Sequence, residues 1–121
     1  MTSSEVLEEI RALVENGRYV LGRHAGMHMA EEGFEKENLV GAVMGGRLLE
    51  TYPAERRYLI AGRFHVSAKN VCPLHVVCEL VAAPKGTTGA AHFGRDADQV
   101  VCFVTAYIPR PPDWISPHVR A

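Results

Sequence analysis

Arg47-Leu48-Leu49-Glu50-Thr51-Tyr52, then Pro53-Ala54-Glu55-Arg56, then Tyr58-Leu59-Ile60-Ala61-Gly62-Arg63-Phe64 is the stretch on which the fold turns. Before it, apolar residues recur at helical spacing; from Arg47 onward the period becomes two. Two β-favouring runs joined by a short turn-forming segment read as an antiparallel hairpin. Two further runs, residues 74–82 and 100–108, are also strongly β-favouring. The last is stopped by Pro109 and the Pro111-Pro112 pair, which cannot donate to a ladder.

On the N-terminal side, Thr2-Ser3-Ser4-Glu5 has the form of a capping box. Val6, Leu7, Ile10, Leu13 and Val14 then keep helical spacing until Asn16-Gly17. Tyr19-Val20-Leu21 is a short β-favouring run. It leads into a second helix that is expected to turn Ala25, Met29 and Ala30 inward and to end at Gly33. Leu39, Val40, Val43 and Met44 define a third helix, closed by Gly45-Gly46. Helices first and strands after predict an α+β domain, with helices packed on one face of a mostly antiparallel sheet of about four strands. A single domain is expected: an N-terminal helix over 1–18, a core over 19–108 and an extended tail over 109–121. The Gly- and Ala-rich segment from Ala83 to Gln99 is long for a connection, and reads as a lid or a plain insertion.

The chain has 121 residues, and its 13 Lys and Arg against 14 Asp and Glu leave a net charge of -1, so no global positive field advertises nucleic acid or an anionic membrane. An RNA partner would need a local basic patch. Cys72, Cys78 and Cys102 form no CxxC pair and are odd in number. That pattern fits reduced thiols of a cytoplasmic protein. No run approaches the length of a membrane-spanning helix, and the polar start does not read as a secretory signal.

Several residue types invite chemistry. His24 and His28 stand four apart on a helix and would offer two metal ligands on one face, with His65, His75, Cys72, Cys78 and His92 as the available partners, none at convincing spacing. In the strand over 74–82, alternation groups His75, Val77 and Glu79 on one face, with Leu74, Val76, Cys78 and Leu80 on the core face. In the strand over 100–108 it groups Phe103, Thr105 and Tyr107 against Cys102, Val104 and Ala106. Were these strands neighbours, His75, Thr105 and Tyr107 would meet on one surface. RNA cleavage by the 2′-hydroxyl needs a base, an acid and donors for the phosphate. His24 or His75 supplies the first two, Tyr107 a donor, and Arg56 and Arg57 in the hairpin turn a phosphate clamp, with Thr105 beside them. Each has a plainer reading as a helix-start residue, a half-buried sheet residue or a solvated turn. Met27, Met29 and Met44 read as core packing, and Trp114 as an aromatic laid by the tail over the body of the domain.

His24-Ala25 with Met29, then Glu32-Gly33, Glu50 through Tyr52-Pro53, His75-Val76-Val77 and Thr105-Ala106-Tyr107-Ile108-Pro109 with Trp114 occur in an order that resembles the bacterial domain-of-unknown-function 4258 family. That family is similar to RelE-type toxins and small ribonuclease folds. The family pattern has arginine where this chain has His28, and again at Glu31 or Glu32. The resemblance implies a RelE-like fold and a toxin–antitoxin setting. It further implies an activity of metal-independent RNA cleavage or RNA binding without a cofactor, and an antitoxin or RNA as partner. The alternatives are a non-enzymatic protein-binding or homodimeric module that has lost its phosphate chemistry, or a metal-binding protein using His24 and His28.

Overall fold

The computed structural model describes residues 2–82 and 99–120. Helix α1 spans Ser3–Glu15, strand β1 Tyr19–Leu21, helix α2 Arg23–Glu32 and helix α3 Lys36–Gly45. Strands β2 (Arg47–Tyr52), β3 (Arg57–His65), β4 (Val71–Ala82) and β5 (Gln99–Tyr107) follow, with a 3-10 turn at Pro53–Glu55. Two short strands, β6 (Trp114–Ser116) and β7 (Val119–Arg120), close the chain. The architecture is α+β as expected, but the sheet has five strands rather than about four. It is mixed, in the order β1-β5-β4-β3-β2. The extra strand is β1, which pairs parallel with β5 in the register Tyr19↔Val101. So short a run does not reveal its own pairing, because parallel partners are distant in sequence.

The capping box forms: the Thr2 hydroxyl accepts from the Glu5 amide and the Glu5 carboxylate from the Thr2 amide. Gly33 ends α2 in the left-handed conformation, φ 77°. The Arg11 guanidinium bridges to the carbonyls of Val43 and Gly46, placing a cation at the open carbonyl end of α3. All three helices cover one face of the sheet. Val6, Ile10 and Val14 of α1, Ala25 of α2, and Leu39, Ala42 and Val43 of α3 meet Ile60, Leu74, Val76, Cys78 and Phe103 in one core. Each of the Val, Leu, Ile and Phe side chains among them contributes about 1.5–3 kcal/mol by leaving water. Ala30 and Met27 do not join them; both are exposed, Met27 at 51%. The apolar stripe of α2 is thus narrower than its sequence suggests.

Contact between α3 and the sheet is close. A Cβ on Gly62 would lie 2.3 Å from the Ala42 carbonyl oxygen, and one on Gly46 2.4 Å from the same atom. Only glycine at these positions lets α3 lie flush on β3.

A bulge in β5 corrects the face assignment. Val77 pairs with Thr105 but Cys78 with Phe103, which leaves Val104 without a partner. The extra residue shifts the alternation by one. Phe103 is therefore fully buried among the helices rather than beside Thr105 and Tyr107.

The tail is not simply extended. From Trp114 it folds into the β6–β7 hairpin, and this hairpin lies on the sheet face that the helices leave open. The connection from Ala83 lies, up to Gln99, outside the described residues, and so does His92.

Candidate functional site

Ladder register lays the outer face out as a grid. One cross-strand row reads Tyr107, His75, Ala61, Arg47; the next reads Thr105, Val77, Leu59, Glu50; a third reads Cys102, Glu79, Arg57, Tyr52. Alternation, shifted once by a bulge in β5 and once by a bulge in β2, produces this set, because the residues of this face must point away from the helices. The bulge in β5 and another at Leu49 in β2 keep these two strands in phase with β4 and β3.

His75 and Tyr107 do meet. Their rings stand 5.2 Å apart and His75 Nδ1 lies 3.3 Å from the Tyr107 hydroxyl. On the other side, His75 Nε2 lies 2.6 Å from the Pro117 carbonyl oxygen. A carbonyl only accepts, so Nε2 carries the proton and Nδ1 accepts from Tyr107. Trp114 closes the top, edge-on to the imidazole with centroids 4.4 Å apart. The result is a histidine with no exposed surface and both nitrogens engaged. Burial, ahead of every other influence, pushes its pKa below the ordinary value and keeps the ring neutral. Burial likewise raises that of Tyr107.

The hairpin is fastened at its far strand by Arg120. This guanidinium donates to both Glu50 oxygens, at 3.0 and 2.8 Å, while stacking 4.5 Å above the Trp114 ring. Arg120 holds the Glu50 carboxyl at a pKa of about 2, aided by the hydroxyl of Tyr52 donating to it. Where the tail leaves β5, Glu32 of α2 accepts from the Ile108 amide at 3.2 Å and from Arg110 at 2.7 Å.

Two cavities flank the hairpin. One, of about 420 Å³, lies between α2 and the tail, and His28, Tyr107, Arg110, Asp113, Trp114 and Arg120 line it. His28 Nδ1 is buried there without a hydrogen-bond partner among the described residues. The other, of about 520 Å³, opens beyond the hairpin turn over Arg47, Arg63 and His118.

The remaining expected site residues fall elsewhere. His24 is exposed on the first turn of α2 and does not join His75; it is His28 that reaches the cavity beside Tyr107. Arg56 lines a separate hollow with Glu9 and Tyr58, and Arg57 pairs with Glu79 at 3.4 Å. Glu79 is four residues along β4 from His75, about 13 Å at the strand rise. Neither arginine therefore clamps a phosphate at His75. Thr105 does share the outer face, one row from Tyr107. Among the described residues no group of three or more His, Cys, Asp and Glu could hold a metal ion. All three cysteines are free, and burial pushes the Cys78 thiol far above its usual pKa. No described helix is long and apolar enough to cross a membrane.

Sequence reasoning missed Arg120, Arg110, Pro117 and His118, because a proline-rich tail carries no periodic signal that places its side chains. Arg47 and Arg63 were legible in principle: both sit in phase with His75's outward face once the register is set. No family model, curated protein or solved structure matches this chain.

Proposed function

We propose that this protein binds single-stranded RNA on the outer face of its sheet, at the cavity between α2 and the C-terminal hairpin. One observation carries the reading: a single cavity of about 420 Å³ collects an imidazole, a phenol, an indole and two guanidiniums from four separate parts of the chain. That set offers what an unpaired nucleotide needs, namely N–H donors for a phosphate, an aromatic surface and groups that bond a base edge. Arg110 and Arg120 are each held by a carboxylate yet keep unused N–H donors, because a guanidinium has five. The resemblance to ribonuclease-like toxins supports the same substrate class.

Cleavage is the second reading, favoured by the unpartnered His28 Nδ1 in the cavity that Tyr107 also lines. His28 would take the 2′-hydroxyl proton as that oxygen bonds to phosphorus, Arg110 and Arg120 would donate to the phosphate as charge develops, and the 5′-oxygen would leave with a proton from water. His75, enclosed and doubly bonded, orients Tyr107 instead of touching RNA.

Fluorescence anisotropy with an end-labelled oligouridine tests the first reading. Salt-sensitive binding by the wild type, weakened about tenfold in His28→Ala and Arg110→Ala, is the expected result. Absence of any binding by the wild type overturns it. Fragments ending in a cyclic phosphate, formed by the wild type and lost in His28→Ala, would establish cleavage. Intact RNA throughout leaves a binding module. A protein that binds no RNA would instead favour protein docking at the β1 edge of the sheet, where Val20 and Leu21 are exposed.

A further inference from the structure

The cavity beyond the hairpin turn differs in electrostatics from the one beside His28. Arg47 of β2 and Arg63 of β3 rise from adjacent strands on the outer face, since Arg47 pairs with Ala61 and Arg63 is two residues further on. His118 of the hairpin turn faces the same space, and the backbone of Gly46 and Gly62 forms part of its lining. No acidic residue is among the described lining residues, and neither arginine forms an ion pair among the described residues. Two unneutralised guanidiniums around a cavity of about 520 Å³, in a chain whose net charge is -1, are a local cation site without an internal counterion.

We infer that Arg47, Arg63 and His118 form a second, anion-binding cleft that takes the phosphodiester backbone of the same RNA strand, a neighbouring stretch to the one held beside His28. This rests on the RNA-binding reading above. The grid supplies the geometry. Tyr107 at one cavity and Arg47 at the other end the same cross-strand row, three strand spacings or about 14 Å apart. A short stretch of extended single strand bridges that distance, crossing the hairpin over Pro117. A guanidinium fork suits a phosphate, which accepts two parallel N–H bonds. A carboxylate accepts them as well, so an acidic protein segment is the competing occupant. Two cavities joined by one cross-strand row favour a continuous polymer that carries a phosphate at each residue.

The test measures anisotropy of end-labelled oligouridine at several salt concentrations with wild type, Arg47→Ala/Arg63→Ala, Arg47→Lys/Arg63→Lys and His28→Ala. The alanine pair is expected to bind about tenfold more weakly and to lower the slope of log affinity against log salt by about one. The lysine pair should recover that slope. Both arginines are exposed, so an unchanged melting temperature will confirm that the alanine pair is folded. An unaltered slope and affinity in the alanine pair, with loss in His28→Ala, overturns the cleft and leaves the RNA-binding reading standing. No binding by the wild type removes both. Displacement of the RNA by poly-glutamate as readily as by unlabelled RNA also overturns the cleft, in favour of an acidic protein partner.

Discussion

The two cavities beside the C-terminal hairpin contain the same cation and differ in what it is doing. Next to α2, Arg110 is bound to Glu32 and Arg120 to Glu50, so each guanidinium holds the tail in place. Beyond the turn, Arg47 and Arg63 have no such partner among the described residues. Paired arginines are part of the construction, while unpaired ones on a concave surface are available to a ligand. The contrast explains how a chain of near-zero net charge still presents a basic site.

The largest expected effect tests the seam between α3 and β3, on the side of the sheet opposite the second cavity. Gly62→Ala forces a Cβ into the Ala42 backbone and should cost about 3 kcal/mol, read as a fall in urea midpoint. His75→Ala comes next, at about 2–3 kcal/mol, because it leaves the Pro117 carbonyl unpaired and opens a void under Trp114. Its signature is a red shift in the fluorescence of this single tryptophan.

Acid should loosen the hairpin in two stages. His75 has a lowered pKa in the folded protein, so its contribution is present above the ordinary value of 6.5 and is lost as pH falls below it. Glu50, held low by Arg120, contributes above its ordinary 4.5 and loses that contribution as pH falls through about 2. A pH titration of tryptophan fluorescence should show the earlier step in the wild type. Glu50→Gln should remove the later one at a cost of about 1 kcal/mol near neutrality. That variant also converts a paired arginine into an unpaired one, and tighter RNA binding at low salt would sharpen the contrast between the cavities. The smallest change belongs to Arg47→Ala/Arg63→Ala: stability within about 0.5 kcal/mol of wild type. A larger loss would mean that these arginines, too, are structural.

Most of the fold was legible because burial imposes a period. The three helices, the hairpin at Pro53–Glu55 and the inward face of β4 all follow from where apolar residues recur. β1 was harder, since three residues cannot announce a parallel partner some eighty positions away. Phe103 was assigned to the wrong face because one bulged residue, Val104, inverts the alternation, and nothing in the local sequence marks it. The site was legible only in its middle. His75 and Tyr107 follow from alternation once β4 and β5 are neighbours. His24 was placed by resemblance, whereas one turn of helix puts His28 at the cavity instead. The residues that enclose the site come from a tail whose conformation is fixed by distant partners.

Those partners also set an order of assembly. Pro117 reaches back 42 positions to His75, Arg120 70 positions to Glu50 and Arg110 78 to Glu32. None of these contacts exists until β2, β4 and α2 are in place, so the hairpin is expected to dock after those elements and to leave before them. In native-state hydrogen exchange, the Trp114 amide, bonded to the Arg110 carbonyl, should open at a lower free energy than amides of β3 and β4. The expected unfolding profile thereby has two steps, with release of the tail before loss of the core.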